Sequence, residues 1–198
     1  MLQTVRQIEK VYQRMERELS RFGQTTRVGC PSGCITCCLK PDLEASVLEF
    51  LPLAWHLVTT GQHDGVIARI EEYPKVCASL NTLRTVTEQP GCRFYAHRGA
   101  ICRLFGSAAL RNLKTRRNTL YSCKIQKELY ADRWEEMVAQ INSLKGVPLV
   151  TDYYMELQTI DPQLANDYNP INISIRKAIN KVELYLSHCP KPGSSRAS

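Results

Sequence analysis

Apolar residues recur every three or four positions through Leu2, Val5, Ile8, Val11 or Tyr12, Met15, Leu19 and Phe22, with charges between them. That period is the buried face of an amphipathic helix of roughly twenty residues, ending near Gly23. Residues 23–41 break the pattern with glycines, two prolines and four cysteines, a composition with few apolar groups to offset the entropy of becoming ordered. Asp42 then offers an N-cap for a second helix, with Leu43, Val47, Phe50, Leu51, Ala54, Leu57 and Val58 on its inner face, a kink at Pro52 and an end near Gly61.

Two more helices, divided by Pro74, are expected between Asp64 and Glu88: one on Val66, Ile67 and Ile70, the next on Val76, Leu80 and Leu83. Gln89-Pro90-Gly91 reads as a turn that delivers Cys92 into another irregular stretch. A helical pattern resumes from Leu104 to Gly146, with a break expected near Asn118 to Tyr121 or at Asp132, because so long a stretch is unusual for one globular helix. Residues 147–173 show no clear period and read as a loop-rich excursion, with one short helix opened by Asp161-Pro162. Ser174 is the expected cap of a last helix whose inner face carries Ile175, Ala178, Ile179, Val182 and Leu186. No internal repeat or run of strands stands out. The expectation is an all-α fold: a single helical metal-binding domain over 1–189, its irregular loops organised by metal, with a disordered tail at 190–198.

No stretch is long and apolar enough for a spanning helix, and the first twenty residues alternate charge with apolar positions instead of forming a secretory signal. A soluble cytoplasmic chain is the expectation. In that compartment nine cysteines do not form a disulfide framework; such clusters belong to metal or redox chemistry. The formal charge of +7 treats every cysteine as neutral, and thiolate ligation would remove part of it.

Four cysteines fall within nine residues, Cys30-Pro-Ser-Gly-Cys34-Ile-Thr-Cys37-Cys38. Thiolates two or three residues apart can turn back onto one ion, and Pro31 and Gly33 help the backbone turn between them. Cys37 and Cys38 pose a problem, since adjacent side chains diverge in most backbone states. One of them supports the site from outside, or a thiolate bridges, or two metals lie side by side. Cys92 and Cys102 form a second group, and Cys123 brings the candidates to seven, more than one tetrahedral ion accepts. Cys123 is expected on a helix among basic residues, as a ligand or as a buried helical cysteine. Cys189, at the edge of the tail, reads as a bystander.

Together, Cys30, Cys34, Cys37 and Cys38, followed by Cys92, Tyr95, Arg98, Cys102, Arg103 and Phe105, resemble the zinc- or iron-chelating CxxCxxCC domain family, the YkgJ-type cysteine-cluster proteins. The resemblance spans about residues 25–125. Gly99 departs from the proline often found there, and the cysteine often found shortly before Cys92 is missing, with Cys77 as its distant candidate substitute. The resemblance implies a cytoplasmic cysteine cluster that holds zinc or iron.

Arg98 and Arg103 are suited to hydrogen bond thiolate sulfur or to fix a nearby carboxylate. Tyr95 and Phe105 shield the sulfurs or belong to the core. Among the scattered His56, His63, His97 and His188, only His97 lies inside a motif, and it reads as an exposed side chain rather than a ligand. The acid-free run Arg111, Lys114, Arg116, Arg117 and Lys124 would form an electropositive helical face, counter-charge to the thiolates or a surface for a partner. No Ser/His/Asp, HExxH or phosphate-loop pattern is present.

The leading expectation is a zinc or iron–sulfur centre with a structural, redox-sensing or metal-delivery role, acting through a protein partner of acidic character. A metal-dependent or thiol-based enzyme is the second class. A basic nucleic-acid-binding module stabilised by metal is the third, and is less favoured.

Overall fold

In the computed structural model, which describes residues 1–82 and 90–188, the first helix buries the stripe the sequence predicts. Along α1 (Leu2–Thr26), Val5, Ile8, Val11, Tyr12, Met15, Leu19 and Phe22 are all buried, each such side chain contributing about 1.5–3 kcal/mol. The helix passes through Gly23 and ends at Arg27, which takes a left-handed conformation (φ 55°). Gly23 serves close approach instead of termination: a Cβ there would stand 2.9 Å from the Val28 carbonyl oxygen as the chain doubles back.

The remaining elements in order are β1 (Glu44–Ser46), α2 (Leu51–Thr59), α3 (His63–Glu72), β2 (Leu80–Asn81), β3 (Gly91–Cys92), α4 (Ala100–Leu104) and β4 (Ala109–Arg111). There follow β5 (Asn118–Leu120), α5 (Lys124–Leu129), α6 (Trp134–Ser143), α7 (Val150–Ile160), α8 (Pro162–Ala165), β6 (Tyr168–Pro170) and α9 (Ile171–His188). The protein is therefore mostly helical but not all-α. Among the described residues, three two-stranded antiparallel sheets, β1–β6, β2–β3 and β4–β5, join segments near in space and, for β1–β6, far apart in sequence. Strands of two or three residues are too short to show an alternating pattern.

The second helix begins at Leu51, not at the expected Asp42. Residues 44–46 pair with 168–170, and Pro52 sits in the first turn of α2, where its missing N–H breaks no bond, so it does not kink the helix. The helix expected on Val76 and Leu80 is a turn leading into β2, and its continuation at Leu83 to Glu88 lies outside the described residues, as do Cys189 and the tail 190–198.

Between Leu104 and Gly146 the chain breaks at both expected places, but the first break is a β-hairpin. Asn112 explains it: its carboxamide oxygen accepts from the N–H groups of Lys114 and Thr115, holding the turn between β4 and β5. Residues 147–173 contain a full helix, α7, that the sequence hides among β-branched and tyrosine residues; its buried face is Val150, Tyr153 and Leu157. Asp161 caps α8 as expected, accepting from Leu164 N at 3.0 Å. Ser174 does not cap α9. It lies inside that helix and donates to the carbonyl of Ala45 at 2.7 Å, tying α9 to β1.

The main core joins α1, α2, α4, α7 and α9, with α2 lying along α9. A smaller cluster gathers Phe22, Val28, Ala109, Leu120, Met137, Ile141 and Leu149 where the β4–β5 hairpin meets α6. Among the described residues, no helix is long and apolar enough to cross a membrane.

Candidate metal centre

A cavity of about 540 Å³ opens between these elements, with Phe50, Leu53, Ile101 and Ile171 among its apolar lining. Cys30, Cys34, Cys37 and Cys38 reach it from the 30–38 segment, and Cys77, Cys92 and Cys102 from three others. No aspartate, glutamate or histidine lines it among the described residues. All eight described cysteines are free thiols.

Local structure explains how each thiol arrives. Cys37 and Cys38 sit in a single 3₁₀ turn, Thr36–Leu39. Cys77 precedes β2, and its N–H donates to the Cys38 carbonyl at 2.9 Å. Cys92 closes β3 and pairs in register with Leu80 of β2, while Arg93 N donates to Ser79 O at 2.8 Å. Cys102 is carried by α4 and packs against the main core.

Cys123 lies just ahead of α5, not on a helix as the sequence suggested; its carbonyl accepts from Lys127 N at 3.1 Å. It is outside the cavity lining, yet it bears on the thiols of Cys30 and Cys37. Cys30 itself packs beside Gly106, with its sulfur 4.0 Å from the Phe105 carbonyl.

The electrostatics of the thiols fall into two groups. Burial pushes Cys37 up to about 11, reinforced by Cys30, Cys123 and Cys34 in that order. Burial also raises Cys30, followed by Cys34 and Cys123, with Arg98 opposing. Cys38 is driven upward by a hydrogen bond with Cys77, then by burial and by the charges of Cys77, Cys102 and Cys92. The same hydrogen bond, with those from Ser79, lowers the Cys77 thiol, against the burial that raises it. Burial raises Cys92 and Cys102, both with Cys77 as a further cause and Arg98 opposing.

Arg98 thus favours thiolate at Cys30, Cys92 and Cys102 alike. Its NH2 donates to Glu16 Oε1 at 3.2 Å, its guanidinium lies 3.9 Å over the Tyr95 ring, and its Nε is buried with no hydrogen-bond partner. Arg103 is 5% exposed and structural in its contacts. It pairs with Glu16, donates to the carbonyls of Ala96 (2.6 Å) and Arg98 (3.0 Å), and lies 4.6 Å over Tyr12. Sequence reasoning found both arginines but not their shared carboxylate, because Glu16 is on α1, far outside either cysteine motif.

Tyr95 is 62% exposed at the cavity and therefore not core. Phe105 lines the cavity and meets Tyr121 edge to face at 4.7 Å. His97 is half-buried, not exposed as expected: it stacks on His56 at 4.2 Å, and burial together with His56 and Arg103 lowers its pKa. Arg111, Lys114, Arg116 and Arg117 stand on the β4–β5 hairpin and its tip instead of on a helix, whereas Lys124 opens α5.

A residue the sequence did not single out holds the apolar floor. Glu49 is fully buried, accepting from Ser46 N at 2.9 Å, Ser46 Oγ at 3.1 Å and Ile101 N at 2.7 Å. Its own carbonyl accepts from Tyr12 OH at 2.8 Å. Burial pushes the Glu49 carboxyl up, against these hydrogen bonds. No pattern marks it, since a glutamate in an apolar run reads as a solvated position.

As the side chains stand, no three Cys, His, Asp or Glu groups among the described residues already converge in ligand geometry on one point. No family model, curated protein or solved structure matches this chain.

Proposed function

We propose that this chain is a cytoplasmic cysteine-cluster protein that chelates zinc or an iron–sulfur centre in the thiol-lined cavity and works through a protein partner. The observation that carries the reading is seven thiols lining one cavity of about 540 Å³ that presents no carboxylate or imidazole among the described residues. An all-sulfur donor set is soft: it suits zinc and iron–sulfur clusters and is unsuited to calcium or magnesium, which take oxygen. Arg98 adds a cation and a buried, unpartnered N–H donor beside those thiols, and both favour thiolate. Seven lining thiols exceed the four that one tetrahedral ion takes, which favours a polynuclear centre or more than one ion. The resemblance to the CxxCxxCC family, carried by both cysteine motifs, points the same way.

A bound centre would supply either a fixed cross-link between the segments that bear the cysteines or a redox-responsive cluster. The chain itself binds through thiolates, screens their charge with Arg98, and shields them with Phe105 and the apolar floor. The test is an absorption spectrum with zinc, iron and sulfide quantification on protein purified without oxygen. Near-stoichiometric zinc, or iron with sulfide, is expected. Neither metal above trace level would overturn the proposal.

A further inference from the structure

Resting on that reading, we infer that the thiols in and beside the cavity form two separate tetrathiolate centres, Cys30, Cys34 and Cys37 of the cavity with Cys123 at its margin for one and Cys38, Cys77, Cys92 and Cys102 for the other, divided at the Cys37–Cys38 peptide. Each set takes zinc or a four-iron cluster, both of which accept four thiolates.

The division follows from the backbone. In a 3₁₀ turn successive side chains are ~120° apart, so Cys37 and Cys38, both in the turn Thr36–Leu39, are directed to different partners. On the Cys38 side the chain is fastened to the second set: Cys77 N donates to Cys38 O at 2.9 Å, and the β2–β3 register seats Cys92 opposite Leu80, three residues beyond Cys77. Cys102 faces the same cavity from α4.

On the Cys37 side the partners are assembled by the β4–β5 hairpin. Gly106 N donates to Tyr121 O at 2.6 Å, and Tyr121 N to Ala108 O at 2.8 Å, which lays the strand leading to Cys123 beside Gly106. Cys30 meets the same place, for a Cβ on Gly106 would stand 2.7 Å from its sulfur. Closing each set requires its thiols to move between staggered rotamers toward a common point.

The partition also gives Cys77 and Cys123 roles as fourth ligands. Cys77 belongs to no motif, and Cys123 is separated from the first cluster by the whole of the second. Arg98, which lines the cavity together with thiols of both sets, is the counter-ion common to both.

The test counts metal per chain in anaerobically purified wild-type protein, Cys123→Ser and Cys77→Ser, with circular dichroism confirming helical content. The expected result is two zinc ions or two four-iron clusters in wild type, and half that content in each variant. No zinc or iron in wild type overturns the chelation reading itself. One centre in wild type, or full metal retention in either variant, overturns the division while leaving chelation intact. Thiol alkylation of intact wild-type holoprotein, read by peptide mass spectrometry, settles the matter even if a variant fails to fold. Eight protected cysteines with Cys189 modified support two centres; protection confined to four overturns them.

Discussion

Replacing Gly106 with alanine isolates how tightly the first cysteine segment is seated. Gly106 has φ +79°, a conformation that disfavours any Cβ by about 1–2 kcal/mol. The new methyl would also stand 2.7 Å from the Cys30 sulfur and 2.8 and 2.9 Å from the amide nitrogen and oxygen of Gln126. Gln126 is fully buried and donates to Gly106 O at 2.8 Å and Gly29 O at 3.1 Å. Displacing it forfeits two hydrogen bonds at about 1 kcal/mol each. The sum is about 3–4 kcal/mol. Gly146→Ala provides the matched control, since Gly146 has φ +67° with nothing within 4 Å of a Cβ; it carries only the conformational part, about 1–2 kcal/mol. Urea unfolding of both variants, with unchanged m-values, measures the difference. If Gly106→Ala is no more destabilising than Gly146→Ala, the packing of Gly29, Cys30 and Gln126 described above is wrong.

Arg103→Lys replaces a fork by a single nitrogen that cannot serve Glu16, Ala96 O and Arg98 O together, and costs about 2 kcal/mol in chemical denaturation. Arg116 sits at φ 59° in the hairpin turn, so Arg116→Gly relieves strain that exceeds the added chain entropy and is expected to raise the unfolding free energy by up to about 1 kcal/mol, read in urea unfolding. Burial raises the Glu49 carboxyl above its ordinary value, so its contribution to folding is present below the unfolded pKa of about 4.3 and is lost as pH rises through the folded one. Glu49→Gln removes that titration. Compared in the same metal state, wild type is expected to lose stability relative to the variant as pH rises above about 4.3; parallel profiles would refute the assignment.

Long, regular periods were legible in the sequence, whereas structure decided by pairing was not. The α1 stripe and the α9 face follow from spacing alone, because one helix face and one core suffice to determine them. The hairpin at 109–120 was misread because Leu110, Leu113 and Leu120 happen to share a helical spacing. Leu113 is in fact 80% exposed, and the Asn112 turn decides the conformation. The cavity divides along the same line. Cys30, Cys34, Cys37, Cys38, Cys92 and Cys102 were visible as local motifs, but Cys77 gains its place from a backbone bond to Cys38 across 39 residues and Cys123 from a hairpin. Glu49, which anchors β1 to α4, left no trace in the pattern at all.

The segment 29–44 contains no buried residue, although it supplies four of the thiols. Its ends are tethered, by Tyr130 OH to Gly29 O at 2.8 Å and by Ile171 N to Leu43 O at 3.1 Å, and its middle by Cys77 N to Cys38 O. It is a strap fastened at three points over the helical bed, held by half-buried side chains such as Leu43 and by no fully buried one. Such a segment opens at a free energy below that of global unfolding. On the proposed chelation, removing the bound centre with a chelator is therefore expected to speed amide exchange across residues 30–42 while the amides of α2 and α9 stay protected. Any centre would then be loaded and unloaded from the strap's side, with the helical bed intact throughout.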